Sequence, residues 1–187
     1  MIALVKPKLI ILNGPLGIGK STLAKHYAGE HPLTLMLDID NVWAMISHWR
    51  EEKDISAPLS KTMALAMARI NLEAGNDVVV PQIIQTHELS NSFKELAGSC
   101  GADFYEILLS VDKDESIRRF ILRGQAQGYE SGFRPGGIID KSGREKKLSD
   151  MYDNMQKVAK TNPQVIKIEP TLGDINGTYA QIMKVLE

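Results

Sequence analysis

The residues best suited to chemistry lie in a glycine-rich stretch between an apolar run and an amphipathic segment. The stretch reads GPLGIGKS from Gly14 to Ser21 and fits the spacing G-x-x-x-x-G-K-[ST]. Glycine has no Cβ, so the backbone amides of such a loop can approach an anion closely. A helix that begins where the loop ends turns its positive pole toward the same anion. The stretch therefore predicts a site for the phosphates of a nucleoside triphosphate.

The polar residues at the end of this stretch predict separate roles in holding the triphosphate. Lys20 supplies a positive charge for the β- and γ-phosphate oxygens, Ser21 a hydroxyl ligand for Mg²⁺, and Thr22 a contact to the α-phosphate. The alternative, an ordinary glycine turn, is disfavoured because a strand pattern precedes the loop and a helix pattern follows it. The predicted nucleotide-binding residues are Gly14, Pro15, Leu16, Gly17, Ile18, Gly19, Lys20, Ser21 and Thr22.

Two carboxylates, Asp38 and Asp40, come at the end of the second apolar run. Phosphoryl transfer to a hydroxyl needs a carboxylate that orients the nucleophile and takes its proton, and it needs oxygen ligands for Mg²⁺. Residues two apart share a face while the chain stays extended, so both side chains would point the same way. The alternative is that Asp40 only caps a helix that begins at Asn41.

Arginines cluster in the segment before a second glycine-rich stretch. Arg119 and Arg123 are four residues apart and so share a helix face, and Arg134 follows within the stretch of about residues 124–145. Arginines that close over a transferring phosphoryl group stabilise its negative charge, and a mobile segment there excludes water. A solvated basic helix face followed by an ordinary loop is the alternative.

Short apolar runs alternate with longer amphipathic segments along the chain, which predicts a parallel sheet covered by helices on both faces. The predicted strands are Leu9–Leu12, Leu33–Asp38, Asp77–Ile84, Phe104–Val111 and Gln164–Ile168. The predicted helices are Lys20–Gly29, Asn41–Glu52, Lys61–Ala74, Thr86–Gly98, Asp114–Gln125, Lys146–Ala159 and Asn176–Leu186. Ligands of such sheets bind at the carboxyl ends of the strands, where the glycine-rich loop and the two aspartates lie.

The composition indicates a folded protein without the features of a general nucleic-acid binder or a membrane-spanning protein. The 187 residues are 43% hydrophobic with a net charge of −1, which predicts one folded domain and disfavours a general nucleic-acid or anionic-membrane binder. The single cysteine, Cys100, fits a reducing cytoplasm, and no apolar run approaches the ~18 residues that span a bilayer. The four histidines lack metal-ligand spacing.

Taken together, these motifs resemble those of the small P-loop kinases, in particular the group of zeta toxins, chloramphenicol phosphotransferase and the kinase domain of polynucleotide kinases. The resemblance implies an α/β P-loop NTPase fold, a three-layer sandwich whose five-stranded parallel sheet has the order 2-3-1-4-5, with a lid at about residues 124–145 of a single domain spanning residues 1–187. It implies ATP and Mg²⁺ as cofactors, Asp40 as the acceptor-activating base, Asp38 near the metal, and Arg119 and Arg123 at the phosphates.

The sequence departs from this group beside the acceptor. The group often has an arginine three residues after the catalytic aspartate, whereas Trp43 stands there and cannot grip a phosphate. The third predicted strand carries no acid near its end, but Gln82 and Gln85 offer hydrogen bonds to an acceptor or to backbone. We expect Trp43, Gln82, Gln85 and Arg134 to lie near the acceptor. Trp49 lies on the apolar face of its predicted helix, so we expect it in the core.

The leading hypothesis is an ATP-dependent phosphotransferase that acts on a hydroxyl of a small molecule, without nucleic-acid or membrane partners. One alternative keeps the fold but phosphorylates a nucleic-acid 5′ end or a nucleotide sugar, and Trp43 with the near-neutral charge disfavours it. A second alternative is a nucleotide-binding switch without transfer, for which the aspartates and arginines would be surplus. The identity of the acceptor, ATP versus GTP and the oligomeric state stay open.

Overall fold

The computed structural model describes residues 6–129, 144–171 and 173–187. Its strands are β1 (Lys8–Asn13), β2 (Leu35–Met36), β3 (Val78–Pro81), β4 (Asp103–Leu109) and β5 (Val165–Ile168). Its helices are α1 (Lys20–Glu30), α2 (Ile39–Ala44), α3 (Lys53–Glu73), α4 (His87–Ser99), α5 (Lys113–Ala126), α6 (Arg144–Thr161) and α7 (Ile175–Leu186). None of these helices combines the length and apolar character that crossing a bilayer requires.

The five strands form one sheet in the order β2-β3-β1-β4-β5, which confirms the predicted order and fold class. Strand β3 pairs in parallel with both β1 and β2. Leu12 lies opposite Pro81 and Met36 opposite Val79, so these three strands end at the same edge. The segments that follow β1, β2 and β3 therefore leave the sheet on one side.

The described chain divides into two compact units. The first comprises residues up to Leu12, Ser21–Gln82 and Glu88–Glu106. Its core is built on the apolar strands β1 and β3, whose side chains are almost wholly buried, as strands covered on both faces require. Amphipathic α4 buries Leu89, Phe93 and Leu96, which recur at three- and four-residue steps.

The second unit comprises Asn13–Lys20, Ile83–His87 and the residues from Ile107 onward. One of its apolar clusters joins Leu148 of α6 to Leu16 and Phe120, and another joins Met155 to Ile83 and Leu108. A polar clamp supports the packing of α6, because Lys113 Nζ lies 2.7 Å from Asp153 and the Tyr152 hydroxyl donates to the Val111 carbonyl at 2.8 Å. Helices α5 and α6 thus pack beside the glycine-rich loop.

The predicted helix Asn41–Glu52 is wrong in extent. Helix α2 covers only Ile39–Ala44, residues 45–52 form turns, and α3 begins at Lys53 instead of Lys61. His48 has a φ of +54°, which no right-handed helix contains. Pro58, which has no amide hydrogen to donate, lies inside α3 near its start.

The prediction that Trp49 is a core residue is also wrong. Trp49 is half-buried in the turn between α2 and α3, and its ring meets Trp43 edge-to-face at 4.4 Å between centroids. The three- and four-residue spacing predicts a buried face only within a helix, and the chain is not helical at this position.

Asp77 joins three elements of the first unit at the start of β3. Its Oδ1 accepts from the Lys8 amide at 2.7 Å, and its Oδ2 accepts from the buried Tyr27 hydroxyl of α1 at 2.6 Å. One carboxylate thereby holds the first residue of β1 and the helix after the loop against β3. We infer that it helps to set the register that brings the ends of these strands to one edge.

We expect Asp77→Ala to lower the free energy of unfolding by about 1–3 kcal/mol, because a buried hydroxyl and a strand amide lose their acceptor. Urea unfolding followed by circular dichroism measures the change. Asp103→Ala is the matched control, since among the described residues the Asp103 side chain makes only an exposed 3.8 Å ion pair with Lys6. Its effect should stay within about 0.5 kcal/mol. Equal effects of the two substitutions would contradict the assigned role of Asp77.

Candidate functional site

At two positions of the loop between β1 and α1, only glycine fits the backbone conformation and the space around it. Gly14 has a φ of +148°, and a Cβ there would lie 2.7 Å from the carbonyl oxygen of Leu109 at the end of β4. Gly17 has a φ of +85°, and a Cβ there would lie 2.9 Å from the amide nitrogen of Phe120 in α5. These are contacts that side chains do not make, so the loop needs glycine for both conformation and space.

Lys20 is almost wholly buried at the end of this loop, although its side chain carries a charge. Its Nζ donates to the carbonyl oxygens of Gly14 at 2.8 Å and Pro15 at 2.9 Å. A buried ammonium needs such partners because desolvation is otherwise costly. The arrangement holds the positive charge over the loop, where a bound anion could replace or supplement the carbonyl partners.

Asn13 anchors the start of the loop, a role that the sequence motif did not predict. The side chain is completely buried, and its Oδ1 accepts from the Gly14 amide at 2.7 Å and from the Ile84 amide at 3.0 Å. One amide oxygen thus links the loop to the segment that follows β3. Only its position directly before the glycine-rich stretch could have signalled this role.

The arginine-bearing helix α5 packs directly against the loop. The hydroxyl of Ser116, which is buried, donates to the Leu16 carbonyl at 3.2 Å, and Leu16 packs in the same apolar cluster as Ile117 and Phe120. The structure therefore brings together two of the predicted site components, the glycine-rich loop and the arginine helix.

The two predicted arginines on α5 have different surroundings. Arg119 is largely buried, and its Nε donates to Glu115 Oε1 at 2.7 Å. Arg123 is exposed, with its guanidinium carbon 5.6 Å from the centroid of the Phe120 ring. Arg118 also binds Glu115, through Nε at 2.7 Å and a terminal nitrogen at 2.9 Å. Glu115 escaped the sequence analysis, although its three- and four-residue spacing from the two arginines was visible.

Hydrogen bonds from Arg118 and Arg119 lower the pKa of Glu115 from its ordinary value of 4.5 to about 2. The same contacts raise the pKa of Arg118. A depressed carboxyl pKa means that the cluster contributes stability above pH 4.5 and loses it as the pH falls toward 2. Glu115 is therefore ionised at neutral pH and fixes the direction of the Arg119 side chain.

The structure corrects the prediction for the two aspartates. Strand β2 ends at Met36 and α2 begins at Ile39, so the chain is not extended from Asp38 to Asp40. The capping residue is Asp38, whose Oδ1 accepts from the amides of Asp40 at 3.0 Å and Asn41 at 3.3 Å. Asp40 lies exposed in the first turn of α2. A short polar side chain fits the cap because it satisfies amides that the first helical turn leaves unpaired.

Trp43, predicted near the acceptor, lies one turn beyond Asp40 in a polar and aromatic cluster of the first unit. Its indole Nε1 donates to Ser56 Oγ of α3 at 2.8 Å, and that hydroxyl donates to the Trp49 carbonyl at 2.7 Å. The Trp43 ring is half-buried against Trp49, with the guanidinium carbon of Arg50 4.3 Å from the Trp49 ring centroid. This cluster joins α2, the following turn and α3.

The remaining predicted site residues are distributed as follows. Ser21 and Thr22 are exposed in the first turn of α1, directly after Lys20 in the chain. Gln82 and Gln85 are half-buried in the segment after β3, and neither side chain has a hydrogen-bond partner within the described residues. Arg134 and most of the predicted lid lie outside the described residues.

The donor set fits a cation held mainly by phosphate oxygens. Among the described residues no group of three or more histidine, cysteine, aspartate or glutamate side chains could hold a metal. Magnesium at phosphate sites takes one or two protein ligands, with phosphate oxygens and water as the rest. The Ser21 hydroxyl at the start of α1 could serve as such a ligand.

A search of curated protein sequences found no match. Solved structures do match. Shikimate kinase from Acinetobacter baumannii, in complex with shikimate, is 17% identical with a TM-score of 0.61 over 98% of this chain and 94% of that chain. The APS kinase of Mycobacterium tuberculosis, in complex with AMPPNP and APS, is 18% identical with a TM-score of 0.61 over 97% and 98%. The tunicamycin resistance protein of Deinococcus radiodurans is 15% identical with a TM-score of 0.60 over 97% and 95%.

At these identities the structural likeness shows a shared fold. It agrees with the loop, strand order and flanking helices described above, and it confirms the predicted resemblance to the small P-loop kinases. The sequence itself matches the AAA domain family over residues 9–133, a span that includes the loop, both aspartates and α5. The chain belongs to the AAA domain family and has the fold of the small P-loop kinases.

Proposed function

We propose that this protein is an ATP-dependent phosphotransferase that moves the γ-phosphoryl group to a hydroxyl of a small molecule. The observation that carries the proposal is the geometry of residues 14–20, because glycines at positive φ and the buried Lys20 ammonium favour the binding of a polyphosphate. The fold that it shares with a shikimate kinase and an APS kinase supports transfer to a small molecule.

The first part of the proposed mechanism is binding. Amides of the loop and the first turn of α1 donate to the β-phosphate, and Lys20 exchanges its carbonyl partners for phosphate oxygens. Ser21 and Asp38 would hold Mg²⁺, which neutralises charge on the phosphates when bound. Because the cap occupies Oδ1 of Asp38, its other carboxylate oxygen would serve the metal.

The second part is activation of the acceptor. Asp40 is proposed as the base because it lies exposed in the first turn of α2. Asp40 would orient the acceptor hydroxyl and take its proton as the new P–O bond forms and the bond to ADP breaks. Gln82 and Gln85 are proposed to contact the acceptor, since their side-chain amides have no partner within the described residues.

The third part is stabilisation of the transferring group. Arg119 is proposed to face the phosphates because α5 packs against the loop at Gly17 and Leu16. Glu115, whose low pKa keeps it ionised at neutral pH, orients this arginine through the hydrogen bond from the arginine Nε. Arg123 and Arg134 are proposed to add charge from the end of α5 and from the segment beyond it.

Replacing Lys20 should remove most of the affinity for ATP. We expect Lys20→Ala to weaken binding by at least about 30-fold, because a buried charge that pairs with phosphate is lost. Isothermal titration calorimetry measures the dissociation constant. Lys25→Ala, an exposed lysine on the same helix, should bind ATP like the wild type. Wild-type affinity in Lys20→Ala would contradict the role of the loop.

Adding one methyl group to the loop should also impair binding. A Cβ at Gly17 would collide with the α5 backbone at Phe120, so we expect Gly17→Ala to weaken ATP binding by about tenfold or more. Gly29→Ala is the matched control, because nothing lies within 4 Å of its added Cβ. Fluorescent nucleotide titrations of both variants measure the difference, and equal affinities would show that the close approach to α5 is not required.

The decisive experiment is a screen of hydroxyl compounds for acceptor-stimulated release of ADP. We expect Asp40→Asn to bind ATP normally and to lower stimulated transfer by about 10²–10⁴-fold, because the general base is lost. Asp54→Asn, in the exposed first turn of α3, should transfer at the wild-type rate.

Three outcomes would contradict parts of the proposal. Slow ATP hydrolysis that no acceptor stimulates and that Asp40→Asn leaves unchanged would indicate a nucleotide switch. Transfer that survives in Asp40→Asn but fails in Asp38→Asn would move the base to Asp38. Strongly salt-dependent affinity for oligonucleotides would indicate a nucleic-acid acceptor, because phosphate contacts release counterions.

A further inference from the structure

Helix α3 buries small side chains and exposes large apolar ones, which is the reverse of the usual arrangement for a helix on the surface of a monomer. Its buried face is a stripe of small residues with one leucine at the end, namely Ser56, Ser60, Ala64, Ala68 and Leu72. Its larger apolar side chains point outward instead. A surface helix normally buries its bulky apolar side chains and exposes its small and polar ones. The outward face of α3 therefore has the composition of a buried surface.

The outward apolar residues form a continuous stripe along the helix. Ile55, Leu59, Met63, Met67 and Ile70 follow one another at steps of four, four, four and three residues, which places neighbours on one face. The stripe is exposed along its whole length, and Ile55 and Ile70 at its ends are 69% and 70% exposed. Its length is about 22 Å, from the rise of 1.5 Å per residue.

Leu33 extends the stripe at the carboxyl end of α3. Asn71 Nδ2 donates to the Leu33 carbonyl at 3.2 Å, which holds that turn beside the helix, and the Leu33 side chain is 76% exposed. Taking about 100 Å² of apolar area per fully exposed side chain of this size, these six residues display roughly 340 Å². Interfaces between identical chains are about 65% apolar, so this corresponds to roughly 500 Å² on each copy and about 1,000 Å² in total, the lower limit for a specific interface.

The spacing of apolar residues along the stripe is nearly the same in both directions from its centre. Leu59 and Met67 each lie four residues from Met63, and isoleucines lie at the two ends, eight residues before and seven after it. An antiparallel second copy of α3 would place Leu59 opposite Met67 and Met63 opposite itself. A two-fold interface needs this kind of self-complementary patch.

We propose that the chain forms a two-fold homodimer through antiparallel packing of α3, with Met63 on the axis. The occupant of the apolar stripe is a second copy of this chain because the stripe complements itself and its area reaches that of a specific interface. Methionine at the centre suits the site, since its flexible side chain adapts to its own symmetry mate. The proposal does not depend on the proposed activity.

Charge substitutions at the axis test the proposal. Sedimentation velocity should show wild-type protein at twice the mass of one chain. Met63→Lys and Met63→Glu should each raise the dissociation constant by about 30-fold or more, because each dimer would place two like charges face to face in an apolar centre. An equimolar mixture of the two variants should dimerise again, since opposite charges then meet. A variant that had merely misfolded could not be rescued in this way.

A control at another exposed apolar position completes the test. Leu122 on α5 is 48% exposed and lies outside the stripe, so Leu122→Lys should dimerise like the wild type. A monomeric wild type at every concentration, or dimers that Met63→Lys does not weaken, would overturn the proposal. Failure of the mixed variants to associate would also overturn it, because the axis would then lie elsewhere.

Discussion

The close approach of backbone to backbone at Gly14 and Gly17 is the constraint on which the rest of the site depends. At Gly14 the loop passes so near the Leu109 carbonyl that a single methyl group has no room, and at Gly17 it passes almost as near the backbone of α5. Contacts this tight cannot be adjusted by a change of rotamer, since no side chain lies between them. The loop, the end of β4 and the middle of α5 must therefore keep one relative geometry. The buried Ser116 reinforces it by donating to the Leu16 carbonyl, and the buried Asn13 accepts from the Gly14 amide at the start of the loop.

This constraint couples the charge of the loop to that of the helix. Lys20 is held by loop carbonyls, and Arg119 is held by Glu115, so both cations are oriented before any anion arrives. Because both side chains are already oriented, less conformational entropy is lost on binding. The existing partners nevertheless compete with a phosphate for the same donors. Carbonyl oxygens are weaker acceptors than an ionised carboxylate. In the proposed mechanism Lys20 would therefore exchange partners more easily than Arg119, whose bond to Glu115 holds its Nε while its terminal nitrogens bind the phosphoryl group.

Features of this structure that are set by residues close together in the sequence could be predicted. Features that are set by contacts between residues far apart in the sequence could not. The glycine-rich loop and its flanking elements follow from local spacing, and the parallel sheet follows from the alternation of strands and helices. The strand order came from the resemblance to the small P-loop kinases. The boundary between α2 and α3 was wrong because the left-handed His48 and the bond from Trp43 to Ser56 decide it, and neither leaves a periodic signal. Asn13 and Ser116 were missed because their partners, Ile84 and Leu16, lie 71 and 100 residues away. Asp38 rather than Asp40 caps α2 because β2 stops two residues earlier than its apolar run suggests.

Ser56 gives α3 a part in the proposed acceptor site as well as in the proposed dimer. Its hydroxyl lies on the buried face of α3, accepts from Trp43 one turn beyond Asp40, and donates to the turn that follows α2. Helix α2 has only six residues, too few to be stable alone, so its position depends on this contact and on its cap. A partner that packs on the outward face of α3 would restrict the helix, and the restriction would pass through Ser56 to α2. Since Asp40 stands in the first turn of α2, the two faces of α3 would link association of the chain to the placement of the proposed base.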